Sequence, residues 1–222
     1  MRTEALVELL SRQILELKKD APVIVGSDGV DAAGKTKLAD ALAEKVKRSG
    51  RDIIRASIDG FHHPREIRYR RGPDSPDGYY LDSFDYDALR EVLLEPLSSG
   101  SLRYMTSIFN YRTDSRTASV WKKAGNTSIL IMEGVFLFRP EIAGFFDLKV
   151  FIHADFDTVL ERALKRAGER QYIGSEEDII ARYQKRYIPG QELYLNSVNP
   201  TKLADIVIDN NDFHNPVVVR KC

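Results

Sequence analysis

Apolar residues recur in the first stretch of the chain at Leu6, Leu9, Leu10, Ile14 and Leu17, with charged residues between them. This spacing predicts an amphipathic helix over residues 2–19 that stops near Asp20 and Pro22. The pattern then changes. Val23, Ile24 and Val25 form a short apolar run that breaks into Gly26-Ser27-Asp28-Gly29, and helical spacing resumes at Leu38, Ala41, Leu42 and Val46. Residues 53–58 read as a second strand, which makes a βαβ unit with parallel strands and a right-handed crossover. Residues 129–132, 148–152 and 206–208 are further apolar runs, the mark of strands covered on both faces. Between the last two, Phe156, Val159, Leu160, Ala163, Leu164 and Ala167 predict a strong helix. Strands alternating with helices predict a three-layer α/β sandwich around a parallel sheet.

One interval resists this scheme. Residues 59–128 are too many for a bare connection, so they must carry structure of their own. The pattern predicts a loop, a helix over about 86–98 and strand-like residues around 104–111. Ligands of open α/β sheets bind beyond the carboxyl ends of the strands, which puts an acceptor site in this insertion.

Composition works mainly by exclusion. The 222 residues hold 33 Lys and Arg against 33 Asp and Glu, a formal charge of zero, which argues against a dedicated nucleic-acid binder. The length favours one domain over residues 1–222. The single cysteine, Cys222, excludes a disulfide framework or cysteine-based metal cluster and fits a reducing compartment. No apolar run is long enough to span a membrane, and Glu4, Glu8 and Glu16 do not fit a signal or transit peptide. The expectation is a cytoplasmic protein with no membrane or nucleic-acid partner; a homo-oligomer is left open.

Gly29-Val30-Asp31-Ala32-Ala33-Gly34-Lys35-Thr36 fits G-x-x-x-x-G-K-[ST] and sits where that motif works, after an apolar strand and before a helix. Glycines let the backbone curl into a nest of N–H groups around phosphate oxygens, and the following helix adds its positive end. Lys35 then reaches the β- and γ-phosphates, and the Thr36 hydroxyl binds Mg²⁺. A chance glycine turn before a helix is the bland alternative. No guanine-reading Asn-Lys-x-Asp segment is present, which argues against a switch GTPase. A carboxylate follows each of two further strands, Asp59 after Ile58 and Glu133 after Met132. With the second and third strands flanking the first, both face the phosphate loop. One can then accept a proton from an attacking hydroxyl while both help hold Mg²⁺. The alternative is that each carboxylate merely ends its strand.

With Asp59-Gly60-Phe61-His62, Ser83-Phe84-Asp85, Ile131-Met132-Glu133-Gly134 and an Arg-rich helix after Ile152, the chain resembles the phosphoribulokinase/uridine kinase family of P-loop kinases over residues 22–210. The resemblance implies a five-stranded parallel core, an acceptor-binding insertion over about 60–128 and a helical lid over about 162–190. It implies Mg²⁺-dependent transfer of the ATP γ-phosphoryl group to a hydroxyl of a small molecule. It also implies roles: Asp59 as catalytic base, Glu133 as a second carboxylate near Mg²⁺, and Asp85 as the acid that holds acceptor hydroxyls. Asp85 immediately precedes the helical pattern of Leu89, Val92 and Leu93, so it serves equally well as an N-cap. Arg162, Arg166 and Arg170 recur every four residues and predict one side of a helix. In the family this segment is similar to a lid that brings arginines to the moving phosphoryl group, with Gly168 and Gly174 placed as hinges. Arg166 and Arg170 are thereby catalytic candidates and Arg162 a nucleotide-binding one. The alternative is a solvated face pairing with glutamates.

The acceptor is less legible. Arg65, Arg68, Arg70 and Arg71 are opposed only by Glu66, whereas Asp74, Asp77, Asp82, Asp85 and Asp87 follow without a basic residue. The two runs either neutralise each other or present a basic edge to an anionic acceptor. Asp-Gly-Phe-His is more similar to phosphoribulokinase than to uridine kinase, and residues 59–85 also resemble bacterial pantothenate kinase. Uridine kinases carry an aromatic residue and a histidine after the inserted strand. Here Phe109-Asn110-Tyr111-Arg112-Thr113-Asp114 keeps aromatics and lacks the histidine. His62, Arg65, Asp85, Phe109 and Tyr111 are the acceptor candidates. The expected function is that of a uridine kinase-like enzyme acting on a nucleoside or similar molecule. A sugar-phosphate or pantothenate-like acceptor, and a nucleotide-binding regulator without acceptor, are the alternatives.

Overall fold

The computed structural model describes residues 1–221; Cys222, which carried the redox reading, lies outside them. The chain begins with α1 (Thr3–Glu16), β1 (Val23–Gly29), α2 (Lys35–Lys47) and β2 (Ile53–Ser57). Short pieces follow: α3 (Arg65–Arg68), α4 (Pro76–Asp82), α5 (Tyr86–Leu89), α6 (Glu95–Ser99), β3 (Arg103–Tyr104), β4 (Phe109–Asn110), β5 (Ser115–Arg116) and β6 (Lys122–Lys123). After β7 (Ile129–Gly134) and β8 (Leu148–His153) come α7 (Phe156–Leu164), α8 (Ala167–Tyr172) and α9 (Glu176–Arg182). The chain closes with α10 (Ile188–Val198), α11 (Pro200–Leu203), β9 (Ile206–Asp209) and β10 (Val217–Lys221).

Six strands form one sheet in the order β10-β9-β8-β1-β7-β2. The five expected strands are parallel, and β10 adds a sixth, antiparallel to β9. This corrects the five-stranded expectation. The added strand lacks the buried signature because it forms an edge, with Val217 51% and Val219 59% exposed. The order also corrects the expected neighbours of β1, which are β7 and β8; β2 lies outside β7. A 3₁₀ turn (Ile58–Phe61) follows β2 and crosses the end of β7. Gly134 permits that crossing, because a Cβ there would overlap the Ile58 side chain.

Side chains alternate across the strands and make a core on each face. Val23, Val25, Ile129 and Ile131 pack with Leu10 and Ile14 of α1 and Leu38 and Leu42 of α2. Ile24, Leu130, Met132 and Phe151 pack on the other face with Leu93, Leu97 and Tyr194. The first helix is shorter than predicted, because Leu17 is already extended. The helix over 86–98 forms, but its middle widens into a π turn over Arg90–Leu94. Pro96 explains this: it has no N–H to offer the Val92 carbonyl, which instead accepts from Met105 N at 2.8 Å. The strand-like residues 104–111 divide between two small ribbons, β3 with β6 and β4 with β5. The predicted continuous arginine helix breaks after α7, with Arg166 extended at ψ 119°. No residue of α8 is buried, so packing does not hold the two helices in one line.

Candidate active site

The phosphate loop joins β1 to α2. Gly34 precedes α2 at φ +98°, and a side chain there would also meet Asn210 Nδ2 at 2.8 Å, so glycine is required twice over. Lys35 is buried, and its Nζ donates to the Val30 carbonyl at 2.6 Å. Burial pushes the Lys35 pKa down, while the charges of Asp31, Glu133 and Asp28 act against that fall. Beneath the loop, Asp28 Oδ1 accepts from Gly29 N at 2.7 Å, and Oδ2 accepts from Phe138 N at 3.3 Å and from the Tyr194 hydroxyl. Burial raises the Asp28 carboxyl to about 6, a rise that the Tyr194 and Gly29 bonds restrain. Asp31 is held from two sides. Its N–H donates to Gln191 Oε1 at 2.5 Å, and its Oδ2 accepts from the Tyr79 hydroxyl at 3.0 Å.

A cavity of about 460 Å³ opens over the loop. Asp31, Ala32, Gly34, Lys35 and Thr36 line its phosphate end, while Gly29, Val30 and Ala33 lie behind them in the loop. Asp59 and Glu133 line it as well, so strand order did not prevent the two carboxylates from meeting. Asp59 is 56% exposed, but the space it faces is the cavity, whose walls withdraw solvent. Burial raises the Asp59 carboxyl, yet the adjacent His62 imidazole and the charges of Lys35 and Arg112 outweigh it and hold the pKa below the usual carboxylate range. Burial moves Glu133 the other way, with Lys35 opposing the rise and Asp59 adding to it. Two carboxyls in one cavity are thus pushed apart in basicity, as acid–base sites require. Among the described residues no group of three or more His, Cys, Asp and Glu forms a metal cage. The hydroxyl of Thr36 and the carboxylates of Asp59 and Glu133 are hard oxygen donors that suit Mg²⁺, which keeps waters and shares nucleotide phosphates rather than needing a full protein cage.

The other candidates divide. His62 lines the cavity with its ring stacked on Phe84 at 4.5 Å and set edge-on to Tyr111 at 4.7 Å. Its Nδ1 donates to the Ser83 carbonyl at 3.0 Å, leaving Nε2 3.6 Å from Asp59. Tyr111 lines the cavity; Phe109 is buried in the core away from it. Asp85 lies off the cavity wall and caps α5, its Oδ1 accepting from Ala88 N at 2.9 Å. Arg65 is exposed over Tyr69, off the wall too. The expected basic edge is largely neutralised: Arg70 and Arg71 pair with buried Asp82, and Arg68 with Asp114. Of the three arginines, only Arg166 lines the cavity. Arg162 donates to the Asn210 and Asn211 carbonyls at 2.7 and 3.0 Å behind the loop. Arg170 pairs with Glu176 at 2.5 Å in solvent.

Several wall residues had no sequence signal. Tyr79, Tyr172, Tyr183, Tyr187 and Glu169 all line the cavity, and Arg68, which the sequence offered only as part of the basic run, lines it too. The cavity walls, which draw solvent away from a half-buried side chain, and the Asp31 charge raise the Glu169 carboxyl. The only available hint was the density of tyrosine around 79–80 and 183–187, which reads equally well as core.

The family model for Phosphoribulokinase / Uridine kinase matches residues 24–213. The chain belongs to this family. Its fold and family are those of a P-loop kinase, a phosphotransferase. A uridine kinase of Lactobacillus helveticus is 29% identical over 202 residues, covering 86% of this chain and 88% of that protein. The tRNA-specific adenosine deaminase subunit tad2 of Schizosaccharomyces pombe is 26% identical over 191 residues, but those cover 85% of this chain and only 44% of that protein. Among solved structures, a possible uridine kinase from Bacillus stearothermophilus superposes with a TM-score of 0.74 at 24% identity, over 92% of this chain and 97% of that one. The matched region begins at β1, so α1 lies outside it. No helix among the described residues is long and apolar enough to cross a membrane.

Proposed function

We propose that this family member transfers the γ-phosphoryl group of ATP to a hydroxyl of a nucleoside or a similar small molecule. The reading rests on the convergence of Lys35, Asp59 and Glu133 on one cavity above the phosphate loop. The ATP phosphates occupy the loop at 29–36, and Lys35 exchanges the Val30 carbonyl for phosphate oxygens. Asp59, kept ionised by His62 and Lys35, orients the acceptor hydroxyl and takes its proton. Thr36, Asp59 and Glu133 would hold Mg²⁺, which when bound would neutralise charge on the phosphates. Arg166, which lines the same cavity, offsets the negative charge of the moving group. Catalysis is mostly positioning and electrostatics.

The aromatic wall of Phe84, Tyr111 and Tyr172 supports a ring-bearing acceptor, in keeping with the uridine kinases among the relatives. The neutralised basic run weighs against a phosphorylated one. The test is ADP release over a panel of nucleosides, sugars, sugar phosphates and pantothenate. Nucleoside-dependent turnover is expected, with Asp59→Asn lowering kcat by about 10²- to 10⁴-fold. Turnover confined to phosphorylated or pantothenate-like acceptors would refute the nucleoside reading. Unchanged turnover in Asp59→Asn would refute the base, and none with any acceptor would favour a regulator.

A further inference from the structure

With no buried residue, α8 has little apolar packing to hold it in place, yet it forms one wall of the cavity. Its anchor is its last residue. Tyr172 sits edge-on to Tyr111, ring centroids 5.2 Å apart, and its hydroxyl accepts from Arg68 Nη1 at 3.2 Å. The Arg68 side chain is 6% exposed and bonded throughout. Its Nε donates to the His63 carbonyl at 2.8 Å, and Nη2 donates to Asp114 Oδ1 at 3.1 Å and the Tyr111 carbonyl at 3.4 Å. Three segments therefore meet at one guanidinium: the stretch after Asp59, the β4–β5 turn and α8. An ion pair that only fixed the turn would need Asp114 alone; the bond to Tyr172 reaches out to an otherwise loosely held helix. The Arg170–Glu176 pair does not replace it, since both partners are 56% exposed and belong to the same segment.

The two ends of this contact lead to the chemistry. Tyr111, which carries the Tyr172 ring, touches His62, and His62 faces Asp59 at 3.6 Å. Arg166, at the start of α8, lines the cavity near enough for its charge to act on Lys35. We propose that Tyr172 is a positioning residue: docked on Arg68 and Tyr111, it fixes α8 over the cavity and so sets Arg166 over the phosphate loop and braces the Asp59–His62 pair. The reaction it serves is the one proposed above; the docking itself stands apart from that reading.

The test uses two variants of the full chain. Tyr172→Phe removes the hydroxyl and keeps the ring, and Tyr172→Ala removes both. Because the bond lost comes from a charged donor, kcat is expected to fall about tenfold in Tyr172→Phe, with little change in the KM for ATP. The fall is larger in Tyr172→Ala. Hydrogen exchange supplies the second readout, taken with and without ATP and Mg²⁺. Backbone amides of residues 164–175 are expected to exchange faster in the order wild type, Phe, Ala, with residues 109–114 following. Wild-type exchange over 164–175 in Tyr172→Ala would overturn the docking, and an unchanged kcat beside faster exchange would overturn the positioning role. If the unmodified chain turns over no acceptor, the kinase reading fails by itself, and exchange still decides whether Tyr172 holds α8.

Discussion

Asp28 makes the stability of this protein depend on pH in a direction opposite to that of most carboxylates. Its carboxyl is buried beneath the phosphate loop, and its pKa rises from 3.8 to about 6. The shift is roughly two units at about 1.36 kcal/mol each, so ionising Asp28 costs the folded state about 3 kcal/mol. A raised folded pKa means that the folded state binds the proton more tightly than the unfolded one. The stabilisation is therefore complete below about pH 4, declines as pH rises through about 6, and is level above that. Roughly 2 of the 3 kcal/mol fall between about pH 4.5 and about pH 7.5. Urea unfolding of the wild type and of Asp28→Asn at those two pH values isolates this contribution, because asparagine does not titrate. The stability of the wild type relative to the variant is expected to drop by about 2 kcal/mol across the interval. Equal pH dependence in the two proteins would refute the reasoning. It would mean that the bonds from Gly29, Phe138 and Tyr194 compensate the buried charge in full.

The arginines of the 162–170 segment separate by position. Arg166→Ala is expected to lower kcat by about 10²-fold or more, while Arg170→Ala leaves it within about twofold, since Arg170 lies in solvent against Glu176. Steady-state kinetics on both variants checks this, and an equal loss would show that α8 turns over in the working enzyme. Gly134→Ala is expected to destabilise the fold by about 1–3 kcal/mol in urea unfolding, because its methyl would overlap Ile58. The same variant displaces the turn that carries Asp59, so kcat is expected to fall beyond what stability alone explains.

The legible part of this protein is what chemistry demands of neighbouring residues. A phosphate nest needs consecutive N–H groups and a glycine at positive φ, so residues 29–36 announce themselves in order. Interior parallel strands need apolar runs, which made β1, β7, β8 and β9 visible; β2, an edge with alternating burial, still showed through Ile53, Ile54, Ala56 and Ile58, and β10, an exposed edge, did not. Asp59 and Glu133 were legible because a sheet delivers its strand ends to one edge whatever the strand order. The arginine spacing was misleading, because periodicity predicts one face only if the helix continues, and α7 stops at Leu164. Tertiary structure alone decided the rest. Tyr79 and Gln191 hold Asp31 from positions 48 and 160 residues away, and Tyr172 meets Arg68 across 104. Such contacts leave no local pattern, since the partners answer to separate elements and meet only when the sheet, the insertion and α8–α10 have packed. The sequence by itself determined a phosphate loop and two carboxylates at a sheet edge. Packing determined which tyrosines and arginines wall the cavity they share.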